Sequence, residues 1–182
     1  MREDQLHTTE LLGGEHQGIV SSLPQSRVGS HAVACQLAED MLRRSGRLVL
    51  PAVGGSMLPA IWPGDALVVE PATCSNVALG DIVLFSNAYR FVAHRVVEKS
   101  GALEKEQVRT RGDAMSTADA PISPGEILGK VSFIVRNGKC FEPKKDLRRS
   151  ERALAALLRH SETAARVIVG VHGLSRASTK TA

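Results

Sequence analysis

A mainly β fold of short strands, partly barrel-like, with one N-terminal helix and a C-terminal helical extension is what this sequence predicts. Two observations carry it. Between residues 49 and 135 valines crowd into short runs broken by Gly, Pro and Asp turn signals. On both sides of that region the apolar spacing changes to a helical period. With 182 residues, 43% hydrophobic and only 3% aromatic, the chain suits one domain whose core is built mainly from Val, Leu, Ile and Ala.

Residues 1–29 are polar, contain Gly and Ser, and show no clean period, so they read as a flexible lead. Ser30 then caps a helix over 30–46, with Ala34, Leu37, Ala38, Met41 and Leu42 as its apolar stripe and Gly46 as its stop. The β region, 47–142, opens with "RLVLPAV". After the "GGSMLPAIWPGD" connection comes "ALVVEP", bounded by Pro71. "GDIVLFS" and "FVAHRVVEK" pair across "NAYR". A charged connection at 99–106 leads to "QVRTRGD", and "GEILGKVSFIVRNG" is the last strand signal. Residues 143–173 return to a helical pattern, with Leu147, Leu154, Leu157 and Leu158 on one broad face, and 174–182 read as a disordered tail.

The net charge of +4 is mild, and part of the excess sits in "KKDLRRSER" at 144–152. No basic face interleaved with aromatics accompanies it, and a single helix before residue 47 is too little for a helix-turn-helix, so specific nucleic-acid binding is not expected. Cys35, Cys74 and Cys140 are isolated and follow no metal-site spacing. They read as small buried hydrophobes, and their odd number favours a reducing compartment. No apolar run reaches the length of a membrane span, and "MREDQLHTTELLGG" is too charged for an export signal. The expectation is a cytoplasmic protein without an intrinsic transmembrane anchor, reaching a membrane, if at all, through a partner or its C-terminal helices.

Chemistry concentrates at Ser56. Gly54 and Gly55 before it allow a sharp turn and close approach by an extended peptide, at the mouth of a β domain where backbone N–H groups can face an oxyanion. A serine in such a place is either a turn residue or a nucleophile, and a nucleophile needs a base. Of the six histidines, His7, His16 and His31 lie in or beside the lead, and His160 and His172 in the helical tail. His94 alone lies inside a core strand, sharing its face with Val92 and Val96. A half-buried imidazole there needs a polar partner, so it is either a satisfied core histidine or a general base. Asp113 and Asp119, in "RTRGDAMSTAD", are the carboxylates near enough in the chain to orient it, and both are also plausible turn-formers. Asp65 and Asp81 open valine-rich strands in repeated Gly-Asp turns and read as structural.

Four ordered blocks, "GGSMLPAIWPGDALVV", "LGDIVLF", "FVAHRVV" and "RTRGDAMSTAD", together resemble the signal peptidase I family. The wider serine-peptidase clan, which includes the LexA-like self-cleaving repressors, shares the pattern. The resemblance covers roughly residues 47–135 and implies a complex β-fold with Ser56, the serine before the methionine, as nucleophile. Bacterial members place a lysine on the strand matching "FVAHRVV"; this chain has His94 and Arg95 there, like the endoplasmic-reticulum and archaeal type. By the same match Asp119 supports His94 and Asp113 holds the site together, although Ala114 and Met115 stand where the family often has asparagines. Gly54, Gly55, Met57 and Pro59 are the candidate peptide-contacting residues.

What the resemblance implies is acyl chemistry that needs no metal or cofactor: cleavage after small residues in an extended leader or signal-like peptide. The peptide lies along an exposed strand edge. A histidine base stops working as it protonates, below about pH 6.5 for an ordinary imidazole. The alternatives are a non-catalytic peptide-binding module, or a self-cleaving regulator, for which "AVACQ" at 32–36 is a faint candidate linker.

Overall fold

A computed structural model describes residues 25–87, 90–101 and 106–160. Within them a helix α1 (Gln25–Ser45) precedes strands β1 (Leu48–Pro51), β2 (Ala66–Pro71), β3 (Ile82–Asn87), β4 (Arg90–Ser100), β5 (Gln107–Arg111), β6 (Ile127–Arg136) and β7 (Lys139–Phe141). A second helix, α2 (Arg149–His160), follows. The seven strands form one antiparallel sheet in the order β1-β2-β6-β3-β4-β5, with β7 added to β6.

This is a mixed α/β fold with a central open sheet, which corrects the mainly β, partly barrel-like architecture predicted from sequence. The sheet path runs from β1 to β5, and those two strands do not pair. Closure would require the outer edge of β5 to receive β1. That edge is already occupied by the chain that follows it: Val108 bridges Ile122, and the Asp119 N–H donates to the Thr110 carbonyl at 2.8 Å. Nor is α1 an appendage, because Ala38 and Leu42 belong to the same core cluster as the sheet residues Leu67, Val69, Ile82 and Ile134.

The sheet is buried on both faces. Along β3, Ile82 and Leu84 join the α1 side, while Val83 and Phe85 join a second cluster with Val96, Val108, Ile122 and Ile127. Period-two alternation splits the strand between two cores, which is why four consecutive residues are buried. Each such Val, Leu or Ile contributes about 1.5–3 kcal/mol relative to exposure. β6 holds the arrangement together. β2 lies along one of its edges, while β3 and β7 share the other, at its start and its end.

Several local expectations shift. α1 begins at Gln25, ahead of Ser30, and ends at Gly46, whose φ of 66° and N–H bond to the Leu42 carbonyl make a left-handed cap. Its buried stripe is Cys35, Ala38 and Leu42, so Ala34, Leu37 and Met41 face outward. In α2 the buried positions are Ala155 and Leu158; Leu157 is exposed and Leu147 lies ahead of the helix. The expected helix beyond 160, the tail at 174–182 and the lead over 1–24 lie outside the described residues. β7 is an addition, made by a two-residue hairpin at Asn137 (φ 50°) and Gly138 (φ 75°). An Asn-Gly pair favours that turn because both positions need positive φ. Cys35 and Cys74 are buried as expected, but Cys140 on β7 is exposed.

A candidate serine-hydrolase site

Ser56 sits in the connection from β1 to β2, and that connection is rigid at both ends. The Ala52 N–H donates to the Asp65 carbonyl and the Gly64 N–H to the Ala52 carbonyl. Asp65, fully buried, accepts the Trp62 N–H at 2.7 Å and a two-pronged contact from Arg136 on β6. Below the loop, Met57, Leu58 and Ile61 plug into the core at 3% exposure or less. The loop is therefore a packed shelf rather than a free turn. The Leu58–Pro59 peptide within it is cis.

Ser56 Oγ–H points across this shelf to His94 Nε2 on β4, at 3.0 Å. On the other side of the ring, His94 Nδ1–H donates to Asp119 Oδ2 at 2.7 Å. The Thr110 hydroxyl, on β5, donates to the same carboxylate oxygen at 2.6 Å. Because a carboxylate can only accept, Nδ1 carries a proton, and in the neutral imidazole Nε2 is then the acceptor facing the serine. The Phe85 ring packs against the imidazole in a T-shaped arrangement, 6.2 Å between centroids. Serine, histidine and aspartate thus resemble a Ser/His/Asp-type catalytic arrangement, consistent with a serine-hydrolase-like triad.

Asp113 has a different place. Arg95, next to His94 on β4, grips its two oxygens at 2.8 Å each, with both side chains buried. The same guanidinium donates to the carbonyls of Gly80, Lys144 and Lys145, so the pair is surrounded by acceptors. From α2, Arg159 donates to the Asp113 carbonyl at 3.1 Å. Between this anchor and the triad lies Gly112. A Cβ there would come within 2.7 Å of the Ser56 carbonyl oxygen and 3.1 Å of His94 Nε2. The Ala114 N–H donates to that same Ser56 carbonyl at 2.8 Å, tying the serine shelf directly to the aspartate loop.

A groove of about 370 Å³ opens beside Ser56 and His94, walled by Leu50, Ala52, Leu84, Phe91 and Ala93. Gly54 and Met57 border it; Gly54 is exposed, with open space where a Cβ would be. Gly55 uses its carbonyl to accept the Leu58 N–H, and Pro59 lines a separate cavity with Phe141 and Arg136. Among the described residues Arg90–His94 of β4 pair only with β3, since β5 joins β4 from Arg95 onward. The outer edge of β1 is likewise unpaired among the described residues.

Three participants escaped the sequence reading. Thr110 shares the inward face of β5 with Val108, which is a weak signal. Arg95 and Arg136 each meet an aspartate far along the chain. Asp81, read as structural, accepts the Ala78 N–H at 2.9 Å. Cys74 is no rival nucleophile: burial first, and then the Glu106 charge, push its thiol up from the ordinary 9.0. No protein-family model matches the chain, and no curated protein is significantly similar to it.

Proposed function

We propose that this chain is a serine endopeptidase of signal-peptidase type, cutting after small residues in an extended leader or signal-like peptide. The observation that carries the reading is the hydrogen-bonded line from Thr110 through Asp119 and His94 to Ser56, ending at the mouth of an apolar groove. The ordered motif blocks support the type. The free edge at Arg90–His94 supports the way a peptide would enter, adding as a strand at about 3.3 Å per residue.

In the reaction His94 takes the Ser56 proton as Oγ attacks the scissile carbonyl. Asp119 holds the ring and stabilises the imidazolium that forms. The Ser56 N–H makes no backbone hydrogen bond among the described residues, so it is the candidate oxyanion donor. His94 then returns the proton to the leaving amine, and water enters to release the acyl group by the same steps. Asp113 and Arg95 act at one remove, positioning the loop that carries Asp119. Partly buried Ala52 and Ala93, with Leu50, suit small apolar side chains in the groove.

No described helix is long and apolar enough to cross a membrane. The test therefore runs with and without detergent micelles. Wild type, Ser56→Ala and His94→Ala are incubated with a library of extended peptides bearing small residues, and products are read by mass spectrometry. Cleavage by the wild type alone, at small residues, is the expected result. Equal peptide binding by all three folded proteins without cleavage would replace the peptidase by a recognition module. Cleavage only in micelles would add a membrane setting to it.

A further inference from the structure

Behind the aspartate loop, away from the peptide groove, lies another cleft of about 500 Å³ between the middle of β4, the end of β5, the approach to α2, and α2 itself. Five cationic side chains border it, Arg95, Arg111, Lys145, Arg152 and Arg159, against the carboxylates Asp113 and Asp146. Three of the cations have counter-charges. Arg95 is held by Asp113, Arg152 reaches Asp146 at 3.5 Å, and Lys145 reaches Asp81 at 3.5 Å. Among the described residues Arg159 bonds the Asp113 backbone carbonyl and no carboxylate. The Arg111 guanidinium has no hydrogen bond or ion pair with another described residue.

Arg111 is also in an unfavourable place for an unmatched charge. It is the direct cross-strand partner of Arg95, and like charges directly opposite on a sheet repel. Asp113 carries one negative charge and Arg95 is bonded to both its oxygens, so that charge is already balanced before Arg111 is counted. A cleft with this surplus of positive charge concentrates anions. Guanidinium forks match phosphate oxygens in two-pronged bonds, which a chloride cannot use.

We propose that this cleft binds a phosphate group, free or as a phosphomonoester, with Arg111 and Arg159 as its main donors and Arg152 and Lys145 at its rim. The bound dianion supplies a counter-charge that no described residue gives Arg111, and it links β5 to α2. The inference is independent of the peptidase reading, because none of its donors belongs to the triad or the groove.

The test uses the full chain, titrated at constant ionic strength with inorganic phosphate and with glycerol phosphate, and chloride as control, by calorimetry. Saturable binding of at least one phosphate probe is expected. Arg111→Gln should weaken it at least tenfold, while Arg109→Gln, on the same strand but paired with Glu98, leaves it unchanged. If Arg111→Gln does not fold, Arg152→Gln at the exposed rim decides, with a severalfold loss expected. Tighter binding of glycerol phosphate assigns a phosphomonoester; equal or weaker binding assigns free phosphate. No saturable binding of either probe, or equal affinity in the Arg111 and Arg109 variants, overturns the proposal.

Discussion

Replacing Gly112 by alanine adds one methyl group at the most crowded point of the site. Gly112 needs no left-handed backbone, so the effect is purely one of space. The new Cβ would lie 2.7 Å from both the Ser56 carbonyl oxygen and Met115 Cγ, where ordinary contact begins near 3.4 Å. The Met115 side chain, 42% exposed, can rotate to move its Cγ away. The carbonyl cannot do so freely, because the Ala114 N–H holds it at 2.8 Å and the shelf below is packed. The serine shelf must therefore retreat by about half an ångström or more, lengthening the 3.0 Å reach from Ser56 to His94. A displacement of about 1 Å costs on the order of 100-fold in rate, so the expected fall in kcat/KM is roughly tenfold to thirtyfold. Overpacking costs about 1–3 kcal/mol, and each kcal/mol lowers Tm by about 2–4 °C in a domain of this size. The assay is cleavage of a library-selected peptide well below Tm, beside urea unfolding of the same variant. Gly125→Ala, where nothing lies within 4 Å, is the matched control and should change neither. Wild-type cleavage by a Gly112→Ala protein of unchanged stability would refute the reasoning.

Other perturbations separate the parts of the site. Asp119→Asn should lower kcat about 10³–10⁴-fold by disturbing the His94 tautomer, while urea unfolding shows a stability change within about 1 kcal/mol. Asp113→Ala should do the reverse in emphasis, costing about 3–5 kcal/mol in the same unfolding assay because it strands the buried Arg95 charge. At the start of α2 the Arg148 N–H donates to Glu151 and, as the leading cause, lowers its carboxyl below the ordinary 4.5. The folded value being the lower one, this contact stabilises the chain above pH 4.5 and is lost as pH falls through the folded value. Wild type should therefore be slightly more stable than Glu151→Gln at neutral pH in urea melts, and the difference should vanish in strong acid.

The strands were legible because turn chemistry and apolar alternation are local signals. "ALVVEP" and "GDIVLFS" carry both, and they become β2 and β3. Ser56 and His94 were legible as candidates, one serine after paired glycines and one histidine inside a strand, but their roles came only with the motif resemblance. The choice between Asp113 and Asp119 was not, until the motif resemblance was added. Their separation depends on Arg95 claiming the first, and nothing local in "FVAHRVV" says that the arginine next to the histidine turns inward. The same holds for Arg136, which meets Asp65 across 71 residues. Helix faces were misjudged at Leu37, Met41 and Leu157 because several apolar stripes of similar width fit the same spacing, and only the packing partner chooses among them. Sheet openness was equally hidden, since it turns on Ile122 and Asp119 occupying the edge of β5.

One bond gives the site a built-in clock. The Ala114 amide is the donor that joins the aspartate loop to the serine shelf. Its hydrogen can be traded for solvent deuterium only during moments when those two loops part and the serine shelf loses its tie to the loop that carries Asp119. The exchange rate of that single amide therefore reports how readily the shelf and the aspartate loop separate in the resting protein, without any substrate having to be known.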